Sequence, residues 1–339
     1  MNRRATQGEP FPLPIDNRPL KLAPGMQGLL RCPVCHARLE LSPTVAVCQR
    51  ATCATRYPII EGVPVLIHEA NSIFTLADFT ERRTTFFNLA PSWRSQLLDR
   101  ISPSINRNVK SKANYRRLTE LLLSDSPAPR VLVLGGSVLG VGMEALLERP
   151  AIALIESDIS FGPRTALICD GHDIPLEDGS VDAVIAQAVL EHVVDPYRVV
   201  EEMHRVLRPG GLVYAETPFM QQMHGGRYDF VRFSYWGHRR LFRRFAEVDS
   251  GVVCGPGMAL AWSYTYFLLS FVRARWARHA VRLFASLTSF FWKYFDGFLV
   301  DRPGALKAAS GYFFLGRRSD TILSDHELVR GYKPELTEA

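Results

Sequence analysis

The chain has no long uninterrupted apolar run. Its longest uncharged, apolar-leaning stretch, about Gly251 to Val272, is broken by Gly, Pro, Ser and Thr. A span needs about 20 mostly apolar residues, so this is a weak candidate for a membrane crossing. No apolar segment follows Met1-Asn2-Arg3-Arg4 either, so no secretory signal is in view and the expected location is cytoplasmic. Neither charge sign dominates. Forty basic against 34 acidic residues leave +6, compatible with nucleic acid or an anionic membrane surface and proof of neither. There is no internal repeat. What is present is ordinary for a packed protein. Hydrophobic residues at 47% and charged residues at 22% exclude a mostly disordered or collagen-like chain. A length of 339 residues makes one large domain or two.

Residues 1–25 carry Pro10, Pro12, Pro14, Pro19 and Pro24 and read as a flexible arm. A small cysteine-bearing module follows over 26–70, then a helical linker over 71–125. In that linker Tyr115, Leu118, Leu121 and Leu122 fall at helical spacing before SDSPAPR breaks the helix. From Val131 the pattern alternates strands and helices. VLVLGG, AIALIESD, VDAVIAQAV and LVYAET read as strands. Asp195-Pro196 opens a helix with Val199, Val200, Met203, Val206 and Leu207 on one face, and Pro209-Gly210-Gly211 stops it. This predicts an α/β fold whose parallel sheet is covered on both faces, occupying 126–255 and 309–320, with 256–308 inserted and 321–339 as a tail.

Six cysteines are spread unevenly. Cys169 and Cys254 stand alone in apolar surroundings and read as small core residues. Cys32, Cys35, Cys48 and Cys53 form a C-x2-C, twelve-residue, C-x4-C pattern. Two pairs of thiolates on tight turns can converge on one tetrahedral zinc, with no vacancy and hence a structural role. Two disulfides are the rival, disfavoured because no export signal is present. His36 reads as an exposed turn residue. CPVCHARL, VCQRATC and YPIIEGVPVLI together resemble the small zinc-ribbon proteins that partner and activate methyltransferases of tRNA and translation factors. That resemblance implies a folding and docking module rather than a catalytic metal. Its second pair departs from the tighter C-x2-C, but a longer knuckle still reaches one metal.

Gly135 and Gly136 follow the first strand, with Gly140 and Gly142 close behind. Such a turn lets backbone approach a ligand. At the end of the second strand stand Glu156 and Asp158, where an acid can accept both hydroxyls of a ribose. CDGHDIPLEDGSVDAVIAQAVLEHV, followed by a helix and VLRPGGLVYAETP, resembles the class I S-adenosylmethionine-dependent methyltransferases. The resemblance covers about residues 129–218. It implies a seven-stranded, mostly parallel Rossmann-like sheet with a reversed last hairpin, and S-adenosylmethionine as cofactor. It places Gly135, Gly136 and Ser137 at the loop beside the methionine part. Asp158 falls on the ribose, with Glu156 in reserve, and Asp170, Gly171 and His172 beside the adenine. Gln187 falls opposite the transferred methyl. The loop departs from the family's D-x-G-x-G-x-G, lacking the acid and carrying Ser137 for the third glycine. Only a dozen residues separate Asp158 from Asp170, so SFGPRTALI reads as a loop or single turn.

A general base is needed only if the acceptor keeps its proton at neutral pH. Glu216, His224, Tyr228 and Asp229 are candidates, His224 foremost, while Arg227 and Arg232 could hold an anionic group. Residues 256–308 hold 13 of the chain's 36 aromatics, interrupted by Arg273, Arg275, Arg278 and Arg282. A helix pair on a membrane interface, a lid over a lipid-like substrate and a packed helical cap all suit that pattern. The basic pairs Arg239-Arg240 and Arg243-Arg244 read as a solvated helix face. The expected function is methyl transfer to a small or lipid-linked acceptor, with peripheral membrane contact through 256–308. An RNA base methyltransferase and a catalytically silent adaptor are the alternatives.

Overall fold

The computed structural model describes residues 18–85 and 102–331. Most of the expected arm, the middle of the expected linker and the end of the tail lie outside the described residues. The cysteine module contributes β1 (Leu39–Leu41), β2 (Val45–Cys48), β3 (Arg56–Ile60) and β4 (Val63–Leu66), each antiparallel to the next. Glu61 and Gly62 turn β3 into β4 with φ of 54° and 74°, so both central residues take the positive φ that a tight two-residue hairpin turn favours.

The core adds β5 (Arg130–Leu134), β6 (Ala153–Asp158), β7 (Leu167–Cys169), β8 (Val181–Gln187), β9 (Leu207–Pro218), β10 (Phe245–Cys254) and β11 (Gly311–Arg318). Their order is β7-β6-β5-β8-β9-β11-β10, with β11 antiparallel to both neighbours, so the expected reversed hairpin is present. The expected seven strands are these alone. The sheet has eleven, because β4 pairs in parallel with β7 through Val65↔Ile168 and Leu66↔Cys169. All four residues of β4 are buried, a pattern that requires cover on both faces and a neighbour at its edge. A second seam joins the two parts where Leu30 bridges Leu176, the Arg31 amide donates to the Pro175 carbonyl at 2.9 Å, and Arg31 pairs with Glu177 at 2.7 Å. Leu30, Tyr57 and Val65 therefore share one apolar core with Ile168, Leu176 and Val199.

Helix Ser111–Asp125 covers one face through Tyr115, Leu118 and Leu122, and helix Pro196–Val206 covers the other through Val199, Val200 and Met203. Asp195 caps the latter, accepting from the Arg198 amide at 3.1 Å. The expected linker is helical only over Leu76–Thr80 and Ser111–Asp125 among the described residues. SFGPRTALI is a loop as expected, except that its last two residues begin β7. The stretch around 251–272 divides into the end of β10 and a 14-residue helix, Pro256–Leu269. No described helix is long and apolar enough to cross a membrane.

The insertion adds helices Arg275–Ser289, Trp292–Leu299 and Ala305–Ala308. Asp296, fully buried, accepts from the Gly257 and Met258 amides at 2.7 and 3.0 Å and so ties two of these helices together. Met258, Val300 and Ala305 pack on the core, whereas Phe267, Phe271, Trp276, Phe284, Tyr294, Phe295 and Phe298 are exposed. The basic pairs are ion-paired rather than merely solvated: Arg239 meets Glu247, Arg240 and Arg243 meet Asp325, and Arg244 meets Glu201.

His238 is buried with no hydrogen-bond partner at Nε2 among the described residues, and burial pushes its ring down to about 3. Below about 6.5 the unfolded chain takes up a proton that the folded one refuses. Stability should therefore fall as pH drops from about 6.5 towards 3, by about 2 kcal/mol at pH 5. Urea unfolding midpoints should show this, and His238→Leu should flatten that part of the profile.

Candidate functional site

A cavity of about 250 Å³ opens at the carboxyl ends of β5, β6, β7 and β8. This edge is where parallel sheets bind ligands, because crossovers leave a crevice there. Gly135, Asp158, Asp170, Gly171, His172 and Gln187 all line it. Gly135 has φ +71°, and a Cβ there would stand 2.6 Å from Val189 Cγ2, so only glycine fits.

Asp158 is nearly buried at the end of β6. One oxygen accepts from the Ser137 amide at 3.1 Å and the other from the Ser160 amide at 2.9 Å. Burial nevertheless raises its carboxyl above the usual range. A carboxylate offers about four lone-pair sites, so acceptor capacity remains for hydroxyls in the cavity. Three of the expected cofactor residues stand elsewhere. Glu156 pairs with Arg164 at 2.5 Å and does not line the cavity. Gly136 donates to the Ser157 carbonyl and packs against Glu156, also off the cavity wall. Ser137 is fully buried off the cavity wall and bears on the site through Asp158, to which its amide donates.

The Asp170–His172 pair is fixed from both sides. The Asp195 amide donates to His172 Nε2 at 3.0 Å, so the ring proton sits on Nδ1, which donates to Asp170 at 2.5 Å. Burial works against charge on Asp170, but His172 and the Ser72 hydroxyl outweigh it and hold the carboxyl below the usual range. Ser72 donates to Asp170 at 2.6 Å and Asn71 to Asp173 at 3.0 Å, while Ile73 and Phe74 line the cavity. The segment leaving the cysteine module therefore forms one wall of the site. Sequence reasoning missed this wall, because no spacing rule links Ile73 to Asp170.

Gln187 lines the opposite end with its amide fully engaged. It accepts from the Tyr115 hydroxyl at 3.2 Å and donates to Glu216 at 2.9 Å and the Val141 carbonyl at 3.2 Å. Burial raises the Glu216 carboxyl, which also accepts from Tyr214, Ser111 and Asn108. Gln187 and Glu216 thus make a rigid brace, and neither has a free group to act as base. Arg232 is held by Asp229 at 2.5 Å, and Asp229 also accepts from the His224 and Gly225 amides. His224 does not line the cavity. Its Nε2 lies 3.8 Å from Glu191, beside His192, which does line it. Burial pushes the Glu191 carboxyl up to about 8 and the His192 ring down to about 4.

In the cysteine module, Cys32, Cys35, Cys48 and Cys53 bring their sulfurs within 4.8 Å of one another, all as free cysteines. Cys32–Cys53 and Cys35–Cys48 are separated by 3.8 and 3.5 Å. A tetrahedron with metal–sulfur bonds of about 2.3 Å has edges of about 3.8 Å. His36 and Ala54, each following the second cysteine of a pair, have φ of 57° and 47°, which shapes the two knuckles. His36 is exposed, as expected.

Residues 143–215 match the methyltransferase domain family, a span that starts beyond the divergent glycine loop and includes Asp158, Asp170 and Gln187. An uncharacterized methyltransferase of Mycobacteroides abscessus is 51% identical over 86 residues, covering 25% of this chain and 33% of that protein. Another, from Mycobacterium tuberculosis, is 57% identical over 51 residues, covering 14% and 20%. The chain thus spans a third or less of the length of these relatives. A geranyl diphosphate C-methyltransferase from Streptomyces coelicolor superposes with a TM-score of 0.37 at 13% identity, covering 64% of this chain and 86% of that one.

Proposed function

We propose that this chain transfers the methyl group of S-adenosylmethionine to a small or lipid-linked acceptor, and that a structural zinc ion holds its cysteine module. The observation that carries the first part is the convergence of Gly135, Asp158 and Asp170 on one cavity at the carboxyl edge of the sheet, with both acids inside the matched span. The residues fit the cofactor. Asp158 would take the ribose hydroxyls, Ile159, Gly171 and Phe74 offer apolar walls for a flat ring, and Gly135 admits a chain close to the backbone. When bound, the cofactor supplies a methyl already activated by a sulfonium. The protein's work is then alignment and exclusion of water. The braced Gln187 fixes one end of the cavity, and Ile73 and Phe74 close it over the Asp170 side. Four thiolates at tetrahedral spacing support the zinc, with the Tyr57 and Thr55 hydroxyls at 3.2 and 3.1 Å from Cys32 and Cys53 as outer partners.

The lipid-linked part rests on the insertion. Among the described residues none of 256–308 lines the cavity, which weakens the lid, but Tyr266 donates to the Met223 carbonyl and Trp262 packs near His224, beside the site. Trp276, Phe284 and Leu287 are exposed on one side of an arginine-bearing helix, an arrangement suited to a bilayer interface. The protein should sediment with anionic vesicles and be partly released by salt, which screens the arginines but not the apolar contact. Protein that stays in the supernatant at low salt would remove the lipid-linked acceptor. Methyl-labelled cofactor incubated with a lipid extract should put label into organic-soluble product; label passing only into added RNA would overturn the acceptor class.

A further inference from the structure

Beside the cofactor cavity, and sharing only His192 with its wall, stands a group of titratable side chains. Glu191 follows β8, is 1% exposed, and has no hydrogen-bond partner on either carboxylate oxygen among the described residues. A carboxylate so placed is costly unless a cation or proton meets it. His192 Nε2 lies 3.7 Å from Glu191 Oε1, and His224 Nε2 lies 3.8 Å from the same atom. The ligating atoms of all three fall within 4.8 Å of one another.

The other ring nitrogens settle the protons. His192 Nδ1 is 2.8 Å from the Tyr228 carbonyl, and His224 Nδ1 is 3.2 Å from the Gln222 carbonyl. A carbonyl only accepts, so His192 carries its proton on Nδ1. His224 Nδ1 also stands 3.5 Å from the Arg232 guanidinium, but the Gln222 carbonyl is the nearer partner, and in that tautomer both rings turn an Nε2 lone pair towards Glu191. An imidazole anchored through Nδ1 to a backbone carbonyl is the usual posture of a metal ligand. Three electron-pair donors therefore face one point. The loop that carries His224 is itself fixed: Asp229 holds its backbone, and the Phe230 amide donates to the Glu191 carbonyl at 2.8 Å.

We infer that Glu191, His192 and His224 form a divalent transition-metal site with open positions towards the cavity. Two borderline imidazoles and one hard carboxylate suit Zn²⁺, Mn²⁺, Fe²⁺ or Co²⁺, and three protein ligands leave room for an outside oxygen. His192 lines the cavity, so that oxygen would belong to the acceptor, a role that rests on the transferase reading above whereas metal binding does not. A metal there would hold an acceptor hydroxyl and favour its deprotonated form.

Mn²⁺ separates this site from the cysteines, because soft thiolates hold it poorly. Full-length protein with its cysteine module zinc-loaded should be titrated with Mn²⁺, free ion being counted by electron paramagnetic resonance, and in parallel with Co²⁺ by its visible spectrum. One ion per chain should bind. Glu191→Gln and His224→Ala should each weaken it by at least about tenfold. Retained S-adenosylhomocysteine binding by His224→Ala would show that this variant is folded. No uptake of either metal, or uptake unchanged in both variants, overturns the site. Metal uptake without S-adenosylhomocysteine binding would sink the transferase reading alone; the converse would sink this inference alone.

Discussion

Asp158→Ala should weaken S-adenosylhomocysteine binding by about 5–150-fold, the equivalent of about 1–3 kcal/mol, in calorimetric titration. The loss has two sources. Ribose hydroxyls would lose a charged acceptor, and the Ser137 and Ser160 amides would lose the carboxylate that orders the loop beneath the cavity. Asp158→Asn keeps one carbonyl oxygen and should fall between the two. Glu156→Ala should leave affinity within about twofold, because its carboxylate is spent on Arg164 outside the cavity. Unchanged binding in Asp158→Ala together with a collapse in Glu156→Ala would contradict the assignment.

Loss of the cysteine-module metal should cost still more. Purified protein should carry one zinc per chain in the cysteine module, and Cys48→Ser should lower the melting temperature by more than about 10 °C. Structural zinc sites contribute folding free energy on the scale of a whole domain's stability, about 5–15 kcal/mol. Here the module does not fold aside from the core. It supplies β4 to the sheet and Leu30, Tyr57 and Val65 to the shared apolar interior. Its exit segment also holds Asp170 through Ser72 and Asp173 through Asn71. Cofactor affinity should therefore fall with stability, and Phe74 should lose its place on the cavity wall. An intact melting temperature in Cys48→Ser, or disulfides and no stoichiometric zinc by mass spectrometry and metal analysis, would contradict this.

The strand-and-helix core was legible because its signals are local. Period and glycines mark β5, Asp195-Pro196 marks a helix start, and the acids fall at strand ends. The reversed last hairpin came from a family resemblance rather than from any pattern in β10 or β11. What sequence could not show is pairing across distance. β4 reads as a finished hairpin, yet its outer edge is satisfied by β7, a hundred residues on, in a segment read as loop. The same limit hid Ile73 and Phe74 from the site. Only the family resemblance ranks Asp158 above Glu156 in sequence, and Arg164 and the Ser137 amide separate them in the structure. His224 stands out in sequence as the foremost of four candidate bases, with no sign of what it faces. Its partner Glu191 sits in LEHV, where a buried acid and a cavity-facing histidine read simply as family pattern.

The most direct test of the account is a structure of the protein with S-adenosylhomocysteine bound. The cofactor product should occupy the cavity between Gly135 and Phe74, with its ribose hydroxyls at hydrogen-bond distance from Asp158 and its adenine beside Gly171 and His172. The sulfur should point towards Gln187 and the Glu191–His192–His224 side. Product bound elsewhere, or a cavity that stays closed to it at saturating concentration, would contradict the proposed methyl transfer.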